Sequence, residues 1–310
     1  MNSIFQQLVF YHFLETIEFL KPFRFSVERD GREVGVMQGF IQKDGGPVKC
    51  YLSRRAIING GPALSDDITE AEVEVLLHKC VTGLRNQAIY IETRNYEDYS
   101  AYRDVFEKAG FRYDSHYDFI INVESAEQVD QNIGKSRKRD VKSSLHSGAT
   151  IINNPTREEI VSFYAILSDL YSHKIGTPLF PLQFFLNLNQ APFSKFLLVE
   201  YKGEVIGGTV LLFDDNTVYE WFACGKDGVY KNVFPSTMAT YYSIQFASKN
   251  GFKLFDMMGA GSPGDGGYGV REFKAKFGGE LMEYGRFRYV CSPCLYSIGK
   301  AGVSILKKKR

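Results

Sequence analysis

One pattern occurs twice in this sequence, and it sets the scale of the folding unit. Phe23 to Gly35 alternates apolar and polar residues on either side of Asp30 and Gly31, and Phe196 to Gly207 does the same around Lys202 and Gly203. A polar residue followed by glycine, between alternating runs, is a strong hairpin signal.

The copies stay in step beyond the hairpins. After the first, the pattern predicts a strand over Val48 to Ile58, a break at Gly60, Gly61 and Pro62, a helix from Thr69 to Asn86 and a strand from Ala88 to Glu92. After the second come a strand over Thr217 to Cys224, a polar break through Asn232, a helix from Pro235 to Asn250 and a strand from Phe252 to Asp256. Thr69 with Glu72 makes a capping box, and Pro235 with Ser236 suits a helix start. Glu107 to Arg112 leads into a strand over His116 to Val123, as Ala275 to Glu280 leads into one over Glu283 to Tyr289. Landmarks in the same order, at nearly constant offset, imply two copies of one fold. Each copy reads helix, hairpin and third strand, helix, strand, helix, strand. That is the order of the GNAT acyltransferase fold, in which two neighbouring strands part and ligands enter the wedge. The expectation is an α/β protein with mixed sheets: two tandem GNAT-like domains with splayed central sheets, at 1–130 and 156–310, joined by a basic segment at 131–155.

Composition agrees with an ordinary globular chain. At 44% hydrophobic and 24% charged, 310 residues form sizeable cores without staples. A net charge of +1 gives no global field that demands nucleic acid or an anionic membrane. Five cysteines, scattered and odd in number, fit a reducing cytoplasm. Cys291 and Cys294 form a lone C-x-x-C with no second pair and no supporting histidine, so no metal site is expected. No run reaches the length of a membrane span, and Ile4 to Leu20 reads as an amphipathic helix, not a signal peptide.

Several motifs resemble the Fem-like transferases, which extend the peptide bridges of bacterial cell walls. Lys135 to Lys142, running on to Gly148 and Ile151, resembles their basic inter-domain segment. Asn250 to Asp256 followed by glycine-rich sequence resembles their second-domain helix and strand, and Phe273-Lys274-Ala-Lys-Phe277-Gly278 matches their late Phe-Lys-x-x-Phe-Gly motif. His173 to Pro178, with Phe184 and Phe185, resembles a Gly-Thr-Pro segment of relatives associated with exported polysaccharides. The resemblance implies transfer of an aminoacyl group to an amine of a cell-envelope precursor, either wall peptide or polysaccharide. It implies aminoacyl-tRNA as donor, and no tightly bound cofactor. Acyl-CoA is the alternative donor, in an N-acyltransferase acting on an amino sugar. However, neither half carries the Arg/Gln-x-x-Gly-x-Gly/Ala turn that holds the CoA pyrophosphate. A third reading is a non-catalytic module that binds glycan or peptide.

Aminolysis of an activated ester needs alignment, a free amine and stabilisation of the oxyanion, but no covalent nucleophile. The resemblance points to Lys274 as the catalytic cation. Glu92 and Asp256, predicted to end equivalent strands, are candidates to accept a proton or hold the acceptor amine. Arg94, Asn95 and Phe273 are candidate substrate contacts, and so is Lys174. Arg137 and Arg139 belong to a basic run suited to phosphates of tRNA, a nucleotide-linked sugar or lipid headgroups; the same run also reads as a solvated helix face. The tail Lys307 to Arg310 offers a peripheral contact with the inner membrane surface or is a free basic end.

Overall fold

The computed structural model describes residues 3–43, 47–175, 177–264 and 266–308. Gly176 of the Gly-Thr-Pro segment, and Lys309 and Arg310 of the basic tail, lie outside them.

The chain opens with α1 (Leu8–Glu15) and the hairpin β1 (Lys21–Arg29) and β2 (Arg32–Gln42). At its turn both Asp30 and Gly31 have positive φ, 52° and 76°. That is the geometry whose twist matches the flanking strands, and it explains the polar-Gly pair. The strand predicted from Val48 is instead α2 (Pro47–Ser53) followed by β3 (Arg55–Gly60). Pro47 stands at a helix's first position, where its missing N–H costs nothing. Then come β4 (Ala63–Leu64), α3 (Glu70–Leu84), β5 (Tyr90–Asn95), α4 (Arg103–Lys108) and β6 (Arg112–Asp114). The capping box forms as expected: Glu72 N donates to Thr69 Oγ1 at 3.3 Å, and Thr69 N to Glu72 Oε2 at 2.8 Å.

The chain continues with β7 (Tyr117–Asn122), α5 (Ala126–Asn132), α6 (Lys135–His146), β8 (Thr150–Ile152), α7 (Arg157–Leu170) and α8 (Leu182–Leu188). The second hairpin is β9 (Ser194–Tyr201) and β10 (Glu204–Phe213), again with positive φ at both turn residues, Lys202 and Gly203. After it come β11 (Thr217–Gly225), α9 (Pro235–Lys249), β12 (Leu254–Asp256), α10 (Tyr268–Ala275), β13 (Glu280–Glu283), β14 (Arg286–Val290) and α11 (Pro293–Lys308).

Two mixed seven-stranded sheets result. One runs β1-β2-β3-β5-β14-β6, with β4 on β2; the other runs β13-β7-β12-β11-β10-β9-β8. The compact units are therefore 1–116 with 283–310, and 117–282, which differs from a division at 130 and 155. The two halves have exchanged their last strands. β7 joins the second sheet, paired with β12, and its Phe119 and Ile121 enter the second core. β14 inserts between β5 and β6, where Phe287 stacks on Phe106 at 4.0 Å in the first core. Alternation locates a strand and its buried face, but carries no label for the sheet it joins.

The second sheet is splayed. β11 and β12 pair in parallel only over Thr217–Tyr219 against Leu254–Asp256, although β11 runs on to Gly225. In the first sheet, β3 and β5 stay paired over the whole of Arg55–Gly60. No helix among the described residues is long and apolar enough to cross a membrane.

Candidate active site

The wedge of the second unit opens at Glu220, the first residue of β11 beyond its pairing with β12. A bulge sets its side chain: Leu211 of β10 faces Glu220 and Val210 faces Phe222, so Trp221 is the extra residue. Glu220 is buried, and Thr240 of α9 donates its hydroxyl to Oε1 at 2.8 Å. Burial pushes the carboxyl up to about 7, against the opposing pull of Lys274 and the Thr240 hydrogen bond.

Lys274, on α10, reaches the turn that follows β12. Its Nζ donates to the carbonyls of Met257 at 2.6 Å and Gly259 at 2.9 Å, and to that of Met258 between them. The turn needs this support, because Met258 has a φ of 56° and its N–H donates to Asp256 Oδ1 at 2.6 Å. Burial lowers the Lys274 pKa, while Asp118, Glu220 and Asp256 pull it back up. Asp256 is fully buried, with Asp118 of β7 close enough for its charge to be felt. Burial, then the Asp118 charge, raise the Asp256 pKa well above the carboxylate range. One ammonium thus sits among three carboxyl groups drawn from β7, β11 and β12.

Other residues of the basic segment support this site from below. Arg137 lies over the ring of Phe273 at 4.3 Å, and its Nη2 donates to the Phe273 carbonyl at 3.3 Å while Nη1 donates to Thr237 at 3.2 Å. Gly134 donates its N–H to Lys276 O at 2.9 Å, and a Cβ at Gly278, whose φ is 86°, would stand 2.7 Å from Asn132. The start of α6 is clamped to the Phe-Lys-x-x-Phe-Gly turn. Arg137 and Phe273 are thus spent on packing behind Lys274. Arg139 is exposed beside Asp140, and Lys174 is exposed on the π-helical turn Tyr171–Ile175; no contact links either to Lys274.

Glu92 and Arg94 lie in the other unit, with Asn95. Glu92 sits mid-strand, not at a strand end, because β5 runs on to Asn95. It is buried, with Arg288 donating from Nη2 and Nε to Oε2 at 2.7 and 3.2 Å and Arg94 Nε donating to Oε1 at 3.2 Å. Burial opposes its ionisation, but Arg94, Arg286 and Arg288 overcome that and hold the carboxyl at about 2. A carboxylate so held is a poor proton acceptor near neutral pH. Asn95 is buried, accepting from Thr93 Oγ1 at 2.8 Å and donating to Tyr284 O at 3.1 Å.

Both helix N-termini that hold pyrophosphate in CoA-binding relatives of this fold are occupied by the chain itself. At α9, Phe234 N donates to Ser144 Oγ at 2.9 Å and Ser236 N to Asp227 Oδ1 at 3.3 Å, while Pro235 has no N–H. At α3 the capping box uses Thr69 N and Glu72 N. No group of His, Cys, Asp and Glu that could hold a metal ion is found among the described residues.

Residues 192–301, which carry Glu220, Asp256 and Lys274, match the model of the FemAB family. That stretch is similar to the FemAB family. No curated protein sequence matches the chain. Among solved structures it is similar to FemX, with a TM-score of 0.70 and 14% identity over 95% of this chain and 94% of that one. It is similar to L-PGS from Bacillus licheniformis at 0.60 and 13%, over 95% and 91%. A tandem GNAT protein from the clavulanic acid biosynthesis pathway follows at 0.57 and 8%, over 89% and 84%. At these identities the likeness is one of fold, and the fold is the tandem GNAT arrangement. Asp118 and Glu220 were not foreseen. An acid inside the otherwise apolar and aromatic run of β11 is the signal that could have found Glu220; Asp118 became visible only with the strand exchange.

Proposed function

We propose that this protein is a Fem-like enzyme that transfers an aminoacyl group from aminoacyl-tRNA to an amine of a cell-envelope precursor, and that the chemistry takes place in the wedge of the second unit. The observation that carries the reading is a buried carboxyl titrating at about 7 beside a buried lysine, where β11 and β12 part.

The acceptor arrives as an ammonium and must lose a proton before it attacks. Glu220, ionised in a large fraction at neutral pH, accepts that proton. The amine nitrogen then bonds to the ester carbonyl carbon, and the carbonyl π electrons move onto oxygen. The positive charge of Lys274, fixed by three carbonyls and in low dielectric, stabilises that oxyanion. Collapse re-forms the carbonyl and breaks the ester C–O bond. The departing ribose oxygen takes the proton from Glu220, which then accepts the second proton of the attacking nitrogen as the amide forms and passes it to water, returning to its starting state. Asp118 and Asp256 help to keep Lys274 charged.

A cytoplasmic reaction with an acceptor on or near the inner membrane surface fits this donor. The occupied N-termini of α3 and α9 disfavour acyl-CoA. The test is transfer of labelled amino acid from aminoacyl-tRNA to a panel of a nucleotide-linked muropeptide, an amino-sugar precursor and phosphatidylglycerol, with acetyl-CoA as rival donor. Support is transfer to an amine acceptor, with a rate that rises through about pH 7 and falls at least a hundredfold in Glu220→Gln. Transfer from acetyl-CoA but not from tRNA, or an unaffected Glu220→Gln, overturns the proposal.

A further inference from the structure

The first unit carries an arrangement that transfer chemistry in the second unit does not use. β5 and β14 run antiparallel with Arg94 directly opposite Arg286, and Glu92 opposite Arg288. Directly opposed residues project from the same sheet face. That face therefore holds Arg94, Arg286 and Arg288 around Glu92, with Asp114 and Arg112 of β6 at its edge, opposite Arg286 and Arg288, while the other face, with Ile91 and Phe287, fills the core.

The charges do not cancel. Arg288 is fully used: it binds Glu92 Oε2, reaches Asp114 Oδ2 at 2.8 Å, and donates to Tyr296 Oη at 3.2 Å. Oε1 of Glu92 is left to serve both Arg94, at 3.2 Å, and Arg286, at 3.6 Å. Arg286 directs Nη2 to His116 Nε2 at 2.8 Å. Its Nε is buried and has no acceptor among the described residues. The two Nη groups of Arg94 likewise take no acceptor among the described residues, and about a third of this side chain is exposed. Two like charges opposed across a strand pair repel. An arrangement that keeps them facing, with unused planar donors on both, suits an anion.

We propose that Arg94 and Arg286 form a binding site for a small oxyanion, a phosphate or carboxylate group of a ligand, with Glu92 and Arg288 as its fixed base. Two adjacent guanidinium forks fit the oxygens of either group, and bidentate contact of this kind favours arginine over lysine. The site lies wholly in the first unit, so its occupancy is independent of the transfer chemistry above.

The test is the melting temperature of the whole protein at constant ionic strength, titrated separately with pyrophosphate, inorganic phosphate and alanyl-alanine, with chloride as the matched control. Stabilisation by either phosphate species or by the dipeptide is expected, and which one acts identifies the source of the oxyanion. Arg94→Ala should raise the apparent Kd at least tenfold, and Arg94→Lys should recover only part of it. Arg139→Ala, an exposed cation elsewhere, should leave it unchanged. Arg94→Ala still leaves Glu92 paired with Arg288, so the variant keeps its fold and its ligand-free melting can be compared. No stabilisation beyond chloride by any of the three, or an Arg94→Ala protein that binds as well as the parent, overturns the proposal.

Discussion

Replacing Glu220 by glutamine should make the protein more stable while abolishing transfer. The carboxyl is buried and titrates at about 7 instead of 4.5, a gap of about 2.5 pH units. At 1.36 kcal/mol per unit the cost to the folded state is about 3 kcal/mol. The sign follows from which state holds the proton more tightly. Here the folded state does, so its stability is complete below pH 4.5 and is lost as the pH rises through about 7. Glutamine keeps the shape of the protonated acid and never ionises. At pH 5 the two proteins should therefore agree to within about 0.5 kcal/mol, and at pH 8 the variant should be more stable by about 3 kcal/mol. Asp256 is present in both proteins, and its contribution cancels in the difference. Urea unfolding followed by the fluorescence of Trp221, the single tryptophan and the residue next to Glu220, reads out this unit directly. A stability difference that does not widen between pH 5 and pH 8, or a variant less stable at pH 8, would refute the assignment of Glu220 as a strained base.

Lys274→Met should lower the transfer rate by about 10²–10³, the usual loss for one preorganised group that stabilises the oxyanion, and should move the pH-rate midpoint upward as Glu220 loses its cation. Glu92→Gln removes the counter-charge from three guanidinium groups and should destabilise the protein by about 3–5 kcal/mol in urea unfolding at pH 7. In the parent, the stability from Glu92 is present above pH 4.5 and lost as the pH falls toward about 2, so acid titration of the two proteins should converge there. Arg137→Ala, which strips the cation from the Phe273 ring, should cost about 1–2 kcal/mol. Arg139→Ala should stay within about 0.5 kcal/mol by the same assay.

The hairpins and capped helices were legible because their signals are local. Asp30-Gly31 and Lys202-Gly203 announce turns with two positive φ values, and Thr69 with Glu72 writes a helix start within four residues. The strand predicted at Val48 failed for a local reason as well: Pro47 starts a helix whose composition gives no decisive periodicity. Lys274 and Asp256 could be found from the Phe-Lys motif and the end of the glycine-flanked strand. Asp118 could not, because it lies in a strand that alternation assigns to the first half and pairing delivers to the second. Glu220 reaches the site through a bulge at Trp221, and a bulge appears only when two strands are set in register. For Arg137 the sequence showed a cation in a basic run, but not the Phe273 ring beneath it.

The exchange of β7 and β14 inverts the order in which this protein can finish folding. During synthesis residues 1–116 emerge first, yet their sheet has a vacancy between β5 and β6 that only Arg286–Val290 fills. Until then two strand edges stand open, each a template for the wrong partner. The second unit is one continuous stretch, 117–282, and closes as soon as that stretch is free. The half made first is completed last, and a fragment ending before Arg286 should gather by its open edges, whatever the quality of its core.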